Sequence, residues 1–158
     1  MPNWCENQVR IIGTDEDIQT FANETLALNE DGTYFLLFDN IIRQPEHLAE
    51  PASQGAVMPD WWNWRVNNWG TKWELSNDQT CEVREGEIYI AFDTAWAPPS
   101  PVIERIAQDN PNLIIAHSYD EPGMDFGGYT VFRDGKLDNL QEGGSRSTTW
   151  HDQADWAI

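Results

Sequence analysis

Residues 60–73 read DWWNWRVNNWGTKW and hold five of the nine tryptophans of this 158-residue chain. They also hold Arg65 and Lys72, two of its nine basic residues. Aromatic side chains bury more area apiece than other side chains, so a cluster this dense tends to determine where a core forms. We therefore expect the rest of the chain to pack around this stretch.

The same stretch has the end signals of a helix. Asp60 is a suitable N-cap and Gly70 a suitable C-terminal cap, which predicts a helix over about Trp61–Asn68. The predicted faces are Trp62, Val66 and Trp69 on one side, and Trp61, Trp64 and Arg65 partly on another. One side can enter a core, whereas the other is hard to bury completely.

The flanking sequence predicts an α+β fold. Apolar alternation and helical spacing predict a strand at 6–13, a helix at 14–28 with Thr14 as its N-cap, strands at 34–38, 80–84 and 87–93, a helix from Ser100, and strands at 113–119 and 127–133. Asp134 and Gly135 are predicted to form a hairpin turn after the last of these strands. Two helices on one face of a mainly antiparallel sheet form a sandwich, and a ferredoxin-like split βαβ arrangement is the simplest match. We expect one domain over 1–137, with a tryptophan-rich insert at about 41–79 and a polar C-terminal tail at 138–158.

The charge restricts the choice of partners. The chain has 27 acidic and nine basic residues, a net charge of -18 and a pI of about 4.2. Nucleic-acid binding needs cations that displace counterions from phosphate, so we expect no direct contact with DNA, RNA or an anionic membrane. An acidic balance fits plain solubility, a basic protein partner, or mimicry of a polyanion.

The chain lacks the usual signals of export. No apolar run approaches the ~18 residues of a membrane span, and the N-terminus has neither a basic flank nor an apolar segment typical of a signal peptide. Cys5 and Cys81 are too few for a disulfide framework, so we expect free thiols in the cytoplasm.

No stretch has the spacing of a catalytic signature. His47, His117 and His151 are scattered and lack the paired spacing of zinc ligands. His117 alternates within a predicted strand, which favours an ordinary sheet histidine. We therefore expect a non-enzymatic protein with no metal and no cofactor.

Three tryptophan-containing motifs resemble a known family. MPNWCEN (residues 1–7), NWGTKW (68–73) and FDTAWAPP (92–99) occur in this order and are similar to the YubB-type ferredoxin-like family of phages and conjugative plasmids. The resemblance covers most of residues 1–137 and implies a ferredoxin-like fold and a mobile-element origin. It implies no activity, substrate or catalytic residue, and the long polar tail departs from it.

Two kinds of surface are candidates for binding a partner. The first is the aromatic and basic patch of Trp61, Trp64, Arg65 and Lys72, because interface hot spots are rich in Trp and Arg. The alternative interpretation is that both cationic stems cover indole faces and stabilise the core. The second is acidic: Asp15, Glu16, Asp17 and Glu24 on the first helix, and the turn at Asp120 and Glu121.

These surfaces suggest a hypothesis and two rivals. The hypothesis is a phage- or plasmid-type protein that binds a host protein with a basic groove, its carboxylates replacing phosphates, so as to inhibit a defence or DNA/RNA-handling system. One rival is a small-molecule or peptide-binding domain, or a degenerate enzyme, with a pocket between the tryptophan-rich insert and the sheet. The other is a structural or assembly component.

Overall fold

The protein is described by a computed structural model at residues 3–48, 60–146 and 149–158. The helices and strands are β1 (Trp4–Ile12), α1 (Asp15–Thr25), β2 (Ala27–Leu28), β3 (Tyr34–Phe35), α2 (Asp60–Asn68), β4 (Thr80–Arg84), β5 (Glu87–Ala95), α3 (Ser100–Asp109), β6 (Ile114–Glu121), β7 (Phe126–Arg133), β8 (Lys136–Gly143) and α4 (Thr149–Ala157). Residues 49–59 of the expected insert lie outside the described residues.

The main sheet has the order β4-β5-β1-β6-β7-β8 and is antiparallel at every pairing. The chain passes from β1 through α1 to β4, and β5 lies between those two strands. It then passes from β5 through α3 to β6, with β1 between them. This is the split βαβ arrangement, so the ferredoxin-like fold is confirmed.

The first helix begins and ends for local reasons. The backbone N–H of Asp17 donates to Thr14 Oγ1 at 3.1 Å, so Thr14 is the predicted N-cap. The helix ends at Thr25 rather than near residue 28, because Ala27–Leu28 pairs as a short strand with Tyr34–Phe35. That pairing also limits the predicted strand over residues 34–38 to two residues.

The main core lies between the sheet and the helices α1 and α3. Its buried members include Val9, Ile11, Ile18, Phe21, Phe38, Trp69, Ile88, Ile90, Ile103, Ile106 and Ile115. Trp64 packs against this cluster from α2. The tryptophan-rich stretch therefore contributes to the core as expected, although only part of it is buried.

The predicted tail is an integral part of the fold. Residues 136–143 form β8, paired along β7, and residues 149–157 form α4. The expectation of a polar tail from residue 138 is therefore corrected. The pattern of β8 hid the strand, since none of its side chains is fully buried and no apolar alternation arises.

Helix α4 covers the face of β6 and β7 that is opposite to α1 and α3. Trp150 is its anchor: the side chain is 2% exposed and lies in a second core with Ala116, Tyr129 and Val131. The absence of a side chain at Gly127 makes this possible, because a Cβ there would come within 2.5 Å of the indole. The two predicted helices, α1 and α3, share one face of the sheet as expected, and α4 adds a helix on the other face.

Candidate functional site

Arg65 fixes α2 to the loop that follows it. Its guanidinium carbon lies 5.0 Å from the ring centroid of Trp61 and 4.9 Å from that of Trp69. Its Nε donates to Gln44 Oε1 at 2.9 Å, and its Nη1 donates to the carbonyl oxygen of Lys72 at 3.2 Å. The cationic stem covers indole faces, which is the alternative that the sequence left open.

This arrangement exchanges the predicted positions of two side chains on α2, one expected to face the core and one expected to face outward. Arg65 is 8% exposed, whereas Val66, which was expected to face the core with Trp69, is 45% exposed. A planar guanidinium between two indoles keeps its hydrogen bonds while buried, so it takes the inner position. Trp61 and Trp64 are half-buried, and Arg65 is therefore not part of an exposed partner surface.

Lys72 lies among three indoles on the outside of the same stretch. Its Nζ is 4.1 Å from the ring centroid of Trp96, 4.4 Å from that of Trp73 and 5.9 Å from that of Trp62. Within the described part of the chain, no carboxylate forms an ion pair with it. The quadrupoles of the rings thus stabilise a cation that no carboxylate of the described residues pairs with.

The rings around Lys72 and the ring of Trp4 lie close together, and three of the four are exposed. Trp4 lies 5.9 Å from Trp73, and Trp62 lies 6.5 Å from Trp96, between ring centroids. The side chains of Trp4, Trp73 and Trp96 are 45%, 37% and 46% exposed. We call the set of Trp4, Trp62, Lys72, Trp73 and Trp96 the tryptophan surface.

Sequence reasoning placed Lys72 at a partner surface but missed the roles of Trp4 and Trp96. A signal was present, since both occur in the motifs MPNWCEN and FDTAWAPP. What the sequence could not provide is their proximity to Lys72, because β1 and β5 are adjacent only in the folded sheet. Trp4 pairs with Ala95, which places it beside Trp96.

Two carboxylates face each other next to this surface. Glu6 on β1 is directly opposite Asp93 on β5, and both are exposed. Partial burial raises the pKa of Asp93. Like charges directly opposite each other destabilise a sheet, so this pair does not serve the fold.

The predicted acidic turn is a buried structural element instead. Asp120 and Glu121 are 1% and 0% exposed, because β6 continues through both residues. The carboxylate of Asp120 accepts hydrogen bonds from Ser145 Oγ at 2.8 Å and from the backbone N–H of Arg146 at 2.9 Å. Glu121 accepts from the N–H of Met124 at 3.1 Å. Neither residue can contribute to an exposed acidic surface.

The acidic residues of α1 are accessible but dispersed. Asp15, Glu16 and Glu24 are exposed and Asp17 is half-buried. The first three acidic residues occupy the first helical turn, where the helix dipole favours anions. Glu24 lies seven residues beyond Asp17, or roughly 10 Å along the axis. These carboxylates lie on the opposite side of the sheet from Glu6.

A cavity of about 360 Å³ separates the end of the insert from the sheet. Its lining residues are Trp4, Leu75, Ser76, Asp78, Gln79, Thr80, Ala91, Phe92 and Asp93. Gln79 holds one wall in place: its Oε1 accepts from the N–H of Leu36 at 2.7 Å, and its Nε2 donates to the Leu36 carbonyl at 2.9 Å. Trp4 and Asp93 thus belong both to this cavity and to the exposed features beside it.

The thiols do not resemble nucleophiles. Cys5 and Cys81 are free, and burial raises their pKa values to about 12 and about 11. A thiol with a raised pKa stays protonated at neutral pH. Over the described residues, no cluster of three or more His, Cys, Asp or Glu side chains is arranged to hold a metal ion. The helices in the same described ranges include none long and apolar enough to span a membrane.

Comparison with known proteins defines the family. Residues 68–156 match the family described as the ferredoxin-like domain in Api92-like protein, a match that includes β8 and α4. The fold is similar to the crystal structure of protein api92 from Yersinia pseudotuberculosis, with a TM-score of 0.61 and 10% sequence identity over 93% of this chain and 100% of that one. No curated protein sequence matches the chain. Because the family match spans more than half of its residues, the chain belongs to the family of ferredoxin-like domains in Api92-like proteins.

Proposed function

We propose that this protein is a non-enzymatic, acidic protein of phage or plasmid type that binds a basic surface of a host protein in the cytoplasm. The observation that carries this proposal is the position of the tryptophan surface beside the opposed carboxylates of Glu6 and Asp93. Each feature is unfavourable for an isolated domain. Both become favourable when a partner covers them.

Contact with a partner would lower the free energy of both the exposed tryptophans and the opposed carboxylates. Exposed tryptophans contribute most of the binding energy in many interfaces once a partner excludes water from them. Glu6 and Asp93 repel each other in the free protein, and a basic side chain between them would relieve that repulsion. The net charge of -18 would also steer a basic partner towards this surface at low ionic strength.

Mimicry of nucleic acid is the more specific form of this proposal. A protein with a basic groove for DNA or RNA would accept carboxylates in place of phosphates, and its defence or nucleic-acid-handling activity would then be inhibited. The exposed acidic residues of α1 would contribute to the field even though they lie on the other side of the sheet. The mimicry form requires that nucleic acid and this protein compete for the partner.

One observation favours a second candidate, a small-molecule or peptide-binding domain. The cavity between the insert and the sheet has the volume of a small ligand pocket, and it combines apolar walls from Leu75 and Phe92 with the carboxylates of Asp78 and Asp93. An extended basic peptide would fit this combination. Trp4, at its edge, would report binding through its fluorescence.

The decisive experiment is capture of host proteins on the immobilised chain, followed by elution with increasing salt. The test variants are Trp4→Ala with Trp73→Ala, and Glu6→Gln with Asp93→Asn. The matched control is Glu82→Gln with Glu85→Gln, which removes two exposed charges from the β4–β5 hairpin. We expect a partner that the wild type and the control retain and that both test variants lose.

Three outcomes would decide against parts of the proposal. A partner retained equally by all variants would exclude the tryptophan surface, and the absence of any salt-sensitive basic partner would reject the proposed function. Failure of duplex DNA or RNA to displace the partner would exclude mimicry alone. A change in tryptophan fluorescence with a small ligand, abolished by Ala91→Leu in the cavity wall, would favour the second candidate.

A further inference from the structure

A second cavity lies on the other side of the sheet from Glu6 and Asp93. Its volume is about 250 Å³, and it is bounded by α3 and by strands β6, β7 and β8. The polar groups of its lining belong to Ser100, Glu104, His117, Tyr119, Thr130 and Glu142. The cavity is smaller than typical pockets for drug-sized ligands, so it suits a single side chain or a small molecule.

The hydrogen bonds of Asn7 determine which nitrogen of His117 carries the proton. Asn7 Nδ2 donates to the carbonyl oxygen of Cys5 and to Thr94 Oγ1, both at 3.0 Å. Asn7 Oδ1 is therefore left as an acceptor, and it lies 2.9 Å from His117 Nε2. His117 Nε2 must donate, which leaves a lone pair on Nδ1.

That lone pair has no hydrogen-bond partner among the described residues. His117 is 1% exposed, and its Nδ1 forms no hydrogen bond with any residue in the described ranges. Burial lowers the pKa of His117 to about 3, so the ring is neutral and Nδ1 remains an acceptor at physiological pH. An acceptor without a protein partner is available to a ligand or water that supplies a donor.

The remainder of the lining favours a cation with an apolar stem. Ile103, Phe132, Leu137 and Leu140 form the apolar walls, and Glu104 and Glu142 place carboxylates at the rim. Leu137 and Leu140 are 51% and 43% exposed, so both offer apolar surface that no described element covers. An alkyl chain would bury this surface, and the carboxylates at the rim would attract a cationic ligand towards the cavity.

We propose that this cavity binds an alkylammonium group, with one N–H donating to His117 Nδ1 and the alkyl stem against Leu137 and Leu140. The ligand chemistry has two sources, a free aliphatic diamine or the lysine side chain of another protein. The proposal goes beyond the basic-partner function and does not depend on it, since the two sites lie on opposite faces of the sheet.

The test is an NMR titration of the full chain with three probes: 1,5-diaminopentane, a lysine peptide blocked at both ends, and 1-pentanol. We expect saturable shifts at the amides of Thr130, Leu137 and Leu140 with at least one amine, together with a change in the ¹⁵N shift of His117 Nδ1. The amine that binds identifies the source. No saturation with either amine, or equal binding of the alcohol, would overturn the proposal.

Two pairs of substitutions separate the rim charges from general electrostatics. Glu104→Gln with Glu142→Gln should weaken amine binding about five- to tenfold, the effect expected of two partly exposed charge contacts. Glu82→Gln with Glu85→Gln removes the same charge from the β4–β5 hairpin and should leave binding unchanged. An equal loss in both pairs would show that only net charge acts, and would refute the assigned site.

Discussion

The ammonium nitrogen of Lys72 lies 4.1 Å from the ring centroid of Trp96, and Trp96 holds that position with a backbone φ of +68°. A bulky side chain in the left-handed region is strained, and such strain is concentrated at functional sites. The residue follows directly after β5, where the chain leaves the sheet. The residue with the strained backbone is therefore also the one whose ring lies nearest to the ammonium group of Lys72.

The strain at Trp96 can be measured by comparing two small substitutions. Trp96→Gly and Trp96→Ala both remove the indole and its contact with Lys72, but only alanine keeps a Cβ that resists positive φ. We expect the glycine variant to be more stable than the alanine variant by about 1 kcal/mol. Urea unfolding followed by circular dichroism measures the difference.

The matched control is the same pair of substitutions at Trp73, which also contacts Lys72 but does not have a positive φ. There alanine should be at least as stable as glycine, because glycine loses more backbone entropy on folding. The same order at both positions would mean that Trp96 is not strained.

Arg65 should not tolerate lysine. Arg65→Lys keeps the charge but cannot reproduce the planar contacts with Trp61 and Trp69 or the two separate donations to Gln44 and Lys72. We expect a loss of about 2–3 kcal/mol in unfolding free energy, the cost of leaving buried partners unsatisfied. Thermal and urea unfolding give the measurement.

Arg84→Lys provides the comparison for this change. The side chain of Arg84 is 54% exposed and pairs with Glu82 on the same strand. Its replacement should change stability by less than about 0.5 kcal/mol. If Arg65→Lys were equally mild, the guanidinium would not be fixing α2 to the rest of the fold.

The two C-terminal tryptophans should behave in opposite ways. Trp150→Ala opens a cavity against Tyr129 and Val131, and we expect a cost of about 3–5 kcal/mol. Trp156 is 86% exposed, so Trp156→Ala should stay within about 0.5 kcal/mol of the wild type. Equal effects of the two substitutions on urea unfolding would contradict the docking of α4.

The part of the fold that the sequence predicts correctly depends on local chemistry. Thr14 caps α1 because its hydroxyl reaches an N–H only three residues away. The turn at Asp134 and Gly135 forms because both residues adopt positive φ, at 53° and 76°. These signals lie within a few residues of the structure that they determine, so one sequence suffices to find them.

The parts that sequence reasoning missed depend on distant contacts. Strand β8 has an almost entirely exposed surface and exists because its backbone pairs with β7, which no side-chain pattern reveals. Asp120 and Glu121 read as an acidic surface turn, yet Ser145, Arg146 and Met124 satisfy their carboxylates inside the fold. Burial of a charged group depends on partners far along the chain, so composition alone misplaces it.

The sequence predicts that the candidate site contains tryptophan and a basic residue, but not which of these residues come together. The stretch at 60–73 identified Lys72 but paired it with Trp61 and Trp64, whereas the rings around its ammonium group are those of Trp62, Trp73 and Trp96. It also could not show that Arg65 faces inward. Glu6 and Asp93 were not singled out, because two acidic residues 87 positions apart have no sequence relationship until β1 pairs with β5. The register of the sheet supplies that relationship.

His117 should remain neutral far below the pH at which an exposed histidine protonates. Burial lowers its pKa from 6.5 to about 3. Between these values the unfolded chain binds a proton at His117 and the native protein does not. The contribution of His117 to stability is therefore fully present above pH 6.5 and declines as the pH falls, with a slope approaching about 1.4 kcal/mol per pH unit.

The measurement is a ¹⁵N NMR titration of the imidazole from pH 8 to pH 4, in the native protein and in urea. The native ring should keep the Nε2–H tautomer throughout, and the urea-unfolded ring should titrate near 6.5.

Other groups also make the unfolding free energy depend on pH. Burial lowers the pKa of His151, so its effect has the same sign as that of His117. The pKa values of Glu74 and Asp93 are raised by burial, so their effects have the opposite sign. A stability difference between wild type and His117→Gln removes these other groups from the pH profile. A native ring that titrates near 6.5 would mean that the imidazole is not desolvated, contrary to its place in the lining of the second cavity.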